Sequence, residues 1–196
     1  MSYEEKCFVY NGKKIPFFIK EGLLGTTSEK MLERSVELAL AKEWLKEHPT
    51  NVIEIGAVTP YYMPRKVKDI VDPTDLHKLV NYHISMFDMD LTGKNVLSIS
   101  TVEHIGTGDY GFQENTNAVK AIKKIIRESN SCLITYPIGW NPYLDEWTLK
   151  QNSKRIKVYA SGKLDNHWVE RKDKSVFKMK YHRWELGGSA IVIIEK

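Results

Sequence analysis

Two acids and a glycine carry the clearest chemical signal in this chain. Asn51-Val-Ile-Glu54-Ile-Gly56 is an apolar strand that runs into an acid and a glycine. Asp69-Ile-Val-Asp72 is a second apolar strand that ends on another acid. A nucleotide-binding α/β sheet needs such a pairing at its first two strand ends. The glycine lets the backbone approach a ligand, and the second acid accepts hydrogen bonds from both ribose hydroxyls. Asp72 also reads as a turn residue ahead of Pro73, because an Asp side chain readily caps its own turn. The glycine turn is incomplete: Gly56 is followed by Ala57-Val58-Thr59-Pro60 rather than by further glycines.

Three later segments add candidate chemistry. Glu103-His104 follows an apolar run, and a histidine near neutral pKa can serve as general base toward a hydroxyl or amine. It can equally pack between strand and helix with backbone partners. Gly106-Thr-Gly108-Asp-Tyr-Gly111 matches G-x-G-x-x-G in letters, but no helix opens directly after a strand there. It reads as a flexible loop able to close over a ligand. Tyr136-Pro-Ile-Gly-Trp140-Asn-Pro-Tyr143-Leu-Asp145 is turn-rich and aromatic. Tyr136, Trp140, Asn141, Tyr143 and Asp145 are candidates for a substrate pocket, with an ordered packed loop as the other reading. His77, His83, His167 and His182 show no metal-ligand spacing, so no metal is expected.

Regular elements must position these residues. Asn11-Gly12 between Phe8–Tyr10 and Ile15–Phe18 predicts a small N-terminal hairpin within residues 1–25. A helix is expected from Ser28 to Glu47, with Thr26 and Glu29 as a capping box and Leu32, Val36, Ala39, Leu40 and Trp44 on one face. Strands are expected near 51–55, 67–71, 82–86, 95–100 and 131–136, and a second helix over Asn115–Glu128. The tail offers strands at Ile156–Ala160, Trp168–Arg171 and Ser189–Ile194. Alternation of strand and helix predicts an α/β domain over 26–196. Its sheet should be Rossmann-like and mostly parallel, with helices on both faces and an antiparallel C-terminal edge.

Size and composition agree with one such domain. The chain has 196 residues and two distant cysteines, Cys7 and Cys132, and needs no disulfide to hold a core. Reduced thiols and a start without a signal pattern lead us to expect a cytoplasmic protein. No apolar run approaches the roughly 20 residues that span a bilayer, so no membrane partner is expected. The net charge of +4 is spread among acids. Nucleic acid is therefore not an expected partner, since it requires a concentrated basic face.

These motifs, in this order, resemble class I S-adenosylmethionine-dependent methyltransferases from about residue 28 onward. The resemblance rests on Val52-Ile-Glu54-Ile-Gly56, Ile70-Val-Asp72, Val96-Leu-Ser-Ile-Ser-Thr-Val-Glu103-His104, Leu133-Ile-Thr-Tyr-Pro137 and Ala190-Ile-Val-Ile-Ile194. Glu33-Arg-Ser-Val-Glu37 and Asn141-Pro-Tyr-Leu-Asp145 are similar to segments of small methyltransferase-like proteins with a degenerate glycine motif. The resemblance implies S-adenosylmethionine as cofactor. Gly56 would face its methionine end, Glu54 would orient that loop, and Asp72 would hold the ribose. Ser100 and Thr101 would border the transferable methyl, and Ser85 or Asp88 the adenine. It implies methyl transfer, read here as directed to a small polar acceptor, with sugars among the candidates. Val58 and Pro60 stand where the family has glycines, and Asn95 where an acid is common. These departures point to the alternative, a non-catalytic protein of the same fold that binds a ligand or a partner.

Overall fold

The computed structural model describes residues 6–23, 26–27, 32–109, 114, 116–161, 167–181 and 190–196. Asn11 and Gly12 both take positive φ, 52° and 76°, the geometry of the tight turns that suit strand twist. They join β1 (Cys7–Tyr10) to β2 (Lys13–Pro16) in an antiparallel hairpin. The hairpin is not isolated. Phe8, Tyr10, Ile15 and Phe17 are buried in the same core as the main sheet, with the Phe8 ring centroid 6.4 Å from that of Tyr159.

The first helix, α1 (Glu33–Glu47), starts later than its sequence suggests. Leu32 is already extended and provides no side-chain cap, and residues 28–31, with Glu29 of the expected capping box, lie outside the described residues. Thr26 does not cap the helix. Its hydroxyl donates to the Lys20 and Leu23 carbonyls and closes the preceding turn. Val36, Ala39, Leu40 and Trp44 are buried as the periodicity requires, but so are Ser35, Glu37, Leu38 and Ala41. The helix ends where the His48 ring stacks on Trp44, its Nδ1 3.0 Å from the Trp44 carbonyl.

The remaining elements build one sheet. They are β3 (Val52–Ile55), the single turn α2 (Thr59–Tyr62), β4 (Asp69–Val71), β5 (Asn95–Ile99) and α3 (Asn117–Glu128). Then come β6 (Ser131–Pro137), α4 (Pro142–Leu149), β7 (Ile156–Ser161), β8 (Trp168–Glu170) and β9 (Ala190–Glu195). The seven strands lie in the order β4-β3-β5-β6-β9-β7-β8. From β4 to β6 the pairings are parallel; from β6 to β8 they are antiparallel. The sheet is thus evenly mixed rather than mostly parallel, and its antiparallel half lies on the C-terminal side as expected.

The strand expected at 82–86 does not form. Tyr82 makes one isolated bridge to Val71, and Asn81 to Ile84 are exposed. This segment alternates apolar and polar residues as a strand would. It lies at the sheet edge, however, where Tyr82 and Ile84 stay exposed and only Met86 reaches the apolar core. Connections β3–β4 and β4–β5 carry only α2 between them, so the described helices are few.

Two apolar layers sandwich the sheet. Val36 and Leu40 of α1 pack with Leu97, Ile99, Leu133 and Ile193 on one face. Ala118, Ile122 and Ile125 of α3, with Leu144 of α4, pack with Ile53, Val96, Ile134 and Val192 on the other. Val119 and Ile126 are only partly buried at the edge of this layer. The layers alternate residue by residue along β5 and β6, as pleating demands. Among the described residues no helix is long and apolar enough to cross a membrane.

Leu97 is fully buried on β5, an interior strand, whereas Leu76 is 90 % exposed. Leu97→Ala should lower stability by about 2–5 kcal/mol in urea denaturation. Leu76→Ala should change it by less than about 0.5 kcal/mol.

Candidate functional site

The chain leaves β3 for β4 on one side and later returns to β5 on the other. The strand order therefore reverses at β3, and open α/β sheets bind ligands at the carboxyl ends of strands at such a point. A cavity of about 320 Å³ opens there, lined by Ile55, Gly56, Asp72, Ser85, Thr101 and Asn117 among others. A larger cavity, about 780 Å³, lies near the opposite ends of β3 and β4 and is lined by Lys42, Lys66 and Lys68. It has no converging acid and glycine at strand tips, so the smaller cavity is the candidate site.

Glu54 shapes this site from below. It is fully buried, and on a strand whose Ile53 and Ile55 face α3 it must point to the α1 side. Its Oε1 accepts from the amides of Val58 (3.1 Å) and Thr59 (2.8 Å), and its Oε2 accepts from the Thr59 hydroxyl. These bonds fix the loop after β3. Burial raises the Glu54 pKa to about 7 against the lowering effect of the Thr59 and Val58 bonds.

Gly56 and Asp72 meet across the strand tips. Gly56 has φ 87°, and a Cβ there would stand 2.0 Å from Thr101 Oγ1. The glycine therefore allows the ends of β3 and β5 to close on each other as well as forming the cavity wall. Asp72, 5 % exposed, divides its oxygens. Oδ1 accepts from the amides of Thr74 (2.9 Å) and Asp75 (2.8 Å), the turn reading of this residue. Oδ2 accepts from the Ala57 amide at 3.3 Å and so joins the two loops, and Asp72 lines the cavity.

Beyond β5 the backbone is strained and the side chains divide. Ser100 takes φ 39°, in the left-handed region that serine rarely adopts. In an unbroken strand Ser100 would share a face with Val96 and Ser98; here its hydroxyl reaches Glu37 on α1, at 2.6 Å. Thr101 lines the cavity on the other side. Ser100 and Thr101 thus point to different sides, Ser100 to Glu37 on α1 and Thr101 to the cavity.

His104 ends the short turn Val102–His104 that follows β5. Its Nδ1 lies 2.8 Å from Asp109 Oδ2, and Thr107 donates to that same oxygen at 2.9 Å. Its Nε2 stands 3.7 Å from Glu103 Oε1, and its ring lies 4.7 Å from that of Trp140. A carboxylate on one ring nitrogen orients the imidazole and supports a proton on it, which a general base requires. Glu37, on α1, accepts from Thr135 (2.9 Å) as well as from Ser100. Burial raises the Glu33 pKa to about 7 and that of Glu103 well above the usual carboxylate range.

The structure separates the other expected site residues. Asp88 is exposed and lies outside the cavity lining, whereas Ser85 is in it. Tyr136 is fully buried, its hydroxyl paired with Thr148, and it belongs to the core rather than to a substrate surface. Asn141 caps α4, accepting from Tyr143 and Leu144 at 3.1 Å, and donates to the Glu103 carbonyl at 2.9 Å. Asp145 accepts from the Gly139 amide at 2.8 Å, and burial raises its pKa to about 6. Tyr143 is 49 % exposed. Of the five, Trp140 alone touches His104. Gly106 lines the cavity, while residues 110–113 of the expected loop lie outside the described residues.

Sequence reasoning assigned no role to Glu37, Glu33, Arg34 or Asp109. A signal existed for the first: positions 33, 37, 40 and 44 share one helical face, so the buried stripe of α1 continues through acids. For Asp109 the signal was its place five residues after His104 in a glycine-bounded loop.

Compared with protein-family models, with curated proteins and with solved structures, the chain matches none of them. Fold and site together define an α/β protein with a seven-stranded mixed sheet and a pocket at the reversal of its strand order.

Gly56→Ala places a Cβ both at positive φ and against Thr101. It should lower stability by more than about 1 kcal/mol in urea denaturation, and Thr101→Ala should not restore it, because the Thr101 Cβ itself lies 2.7 Å away. Glu54 binds a proton in the folded state up to about pH 7, but only to about 4.5 at its ordinary value. The folded protein thus holds more protons between those limits, and stability falls as pH rises through them. Glu54→Gln keeps an acceptor for the loop and should flatten that fall, as read from midpoint denaturant concentrations between pH 4.5 and 8.

Proposed function

We propose that the protein is an S-adenosylmethionine-dependent methyltransferase of the Rossmann-like class, acting on a small polar acceptor. The observation that carries this reading is the cavity at the tips of β3 and β4, with Gly56 and Asp72 on its wall. Neither Val58 nor Tyr61 lines it, so the residues that replace the family's glycine turn leave it open. Ile55, Val71, Met86, Phe87 and Ile105 give it the apolar lining a purine ring requires. Asp72 Oδ2 keeps lone-pair capacity for a ribose hydroxyl beside its bond to Ala57. When bound, the cofactor would supply an electrophilic methyl group. The protein's part is alignment of the acceptor and removal of its proton, for which His104, held by Asp109, is placed beyond Thr101.

One observation favours the non-catalytic alternative. Glu54 already occupies the amides of Val58 and Thr59, which leaves the loop after β3 fewer donors for a ligand carboxylate.

Isothermal titration with S-adenosylmethionine and its demethylated product decides between the two. Binding at or below millimolar concentration is expected, weakened at least tenfold in Asp72→Ala. Asp72→Asn, which preserves the turn acceptor, should also weaken it. Absence of binding at millimolar ligand would sink the enzyme reading.

A further inference from the structure

The cavity at the amino-terminal ends of β3 and β4 has a chemistry of its own. Its volume of about 780 Å³ falls within the range of small-molecule sites. Its floor is apolar. Met63 and Val67 are buried in the α1-side core, and Phe18, Leu45 and Val52 pack against that core while lining the cavity. Its rim is basic. Lys42 and Lys46 stand one turn apart on α1, on the same side as Leu45. Lys66 and Lys68 flank Val67 on the approach to β4 and are exposed where Val67 is buried.

The loop that carries Lys66 is tightly built. The Lys66 amide donates to the Met63 carbonyl at 3.2 Å, and between them stand Pro64 and Arg65, the latter at φ 65°. That is the pattern of a type II turn, whose third position favours glycine. An arginine there is strained, and the turn is held by the fixed φ of Pro64 and by the burial of Met63 and Val67 on either side. The lysines therefore stand on a preformed wall.

The charge on the rim is unbalanced. Asp69 is the single acid in the lining, and it faces Lys94 at 3.7 Å. Lys46 is paired with Glu43. Among the described residues the side chains of Lys42, Lys66 and Lys68 make no ion pair or hydrogen bond. Three cations around one apolar hollow repel each other and gain nothing within the fold.

We propose that this cavity binds a small organic carboxylate, its apolar body seated on Leu45, Val52 and Met63 and its charge met by Lys42, Lys66 and Lys68. A neutral ligand would cover the floor and leave the lysines unbalanced. An inorganic anion would meet the lysines and leave the floor wet, and an organic cation would be repelled. Lysine suits the task, since a point charge on a flexible stem can follow a carboxylate that its apolar body has positioned. The site is independent of methyl transfer, because the Gly56 cavity lies at the other ends of the same strands.

The test titrates 2-naphthoate into the full chain and follows amide NMR shifts. The controls are 2-naphthalenemethanol, which lacks the charge, and acetate, which lacks the body. 2-Naphthoate should bind saturably at or below millimolar concentration, at least tenfold tighter than either control, with shifts centred on residues 48–52 and 63–69. Raising sodium chloride from about 0.02 to about 0.5 M should weaken binding severalfold, because exposed charges are screened. Lys66→Gln combined with Lys68→Gln should weaken it about tenfold, whereas Arg at both positions should keep it within about threefold. Should the Gln variant fail to fold, Lys42→Gln and the salt dependence decide instead. No saturable binding, equal binding of 2-naphthoate and either control, or undiminished binding in the Gln variant overturns the proposal. Shifts centred on Gly56, Asp72 and Thr101 also overturn it, since they would place the anion in the other cavity.

Discussion

The geometry of the site depends on a carboxylate buried beneath a loop. Glu54 sits on β3 with no exposed surface and satisfies itself on the backbone it supports, at Val58 and Thr59. Removing a charge from water is expensive unless donors converge on it. Those donors are available only when the chain after Gly56 turns back over the strand. The desolvation penalty thus selects one loop conformation. That loop brings the Ala57 amide to Asp72, and Asp72 in turn holds the loop after β4. The cavity exists between segments positioned by this one acid.

The carboxyl ends of β3, β5 and β6 form a polar end to an otherwise apolar sandwich. On the α1 side, Glu37 joins the helix to two strands through Ser100 and Thr135. On the α3 side, Gly56 and Thr101 close against each other over the cavity. The strained backbone at Ser100 separates the two. A residue in the left-handed region persists where neighbours over-determine it, and here the Ser100 hydroxyl donates to Glu37 and the Ser100 amide donates to the Thr135 carbonyl.

The strand runs were readable because burial on both faces leaves unbroken apolar letters, as in Ile191 to Ile194. The hairpin was readable from Asn-Gly. What failed was context. Tyr82, Ile84 and Met86 alternate like a strand, but alternation does not say that Met86 alone is buried while Tyr82 and Ile84 stay exposed. Asp72 and Glu54 were found because strand-end acids are local signals. The pairing of His104 with Asp109 depends on how a glycine-bounded loop folds back, and letters do not encode that. Tyr136 was misplaced outward because an aromatic next to a turn looks like a binding residue until its hydroxyl partner, Thr148, comes from a helix twelve residues on.

The position of β9 has a consequence for how the chain assembles. Residues 190–195 lie between β6 and β7 and join the parallel half of the sheet to the antiparallel half. Until they arrive, β6 presents an open, largely apolar edge, and β7 with β8 touches the N-terminal hairpin but has no strand joining it to β6. Such edges invite pairing with other chains. The two halves are thus two assembly units whose union waits on a late segment with contacts far back in sequence, a topology that slows folding. During synthesis the protein passes through a stage in which its most stable strand surface is complete but unsealed. A chaperone or a fast-closing C-terminal segment is the natural protection for that stage.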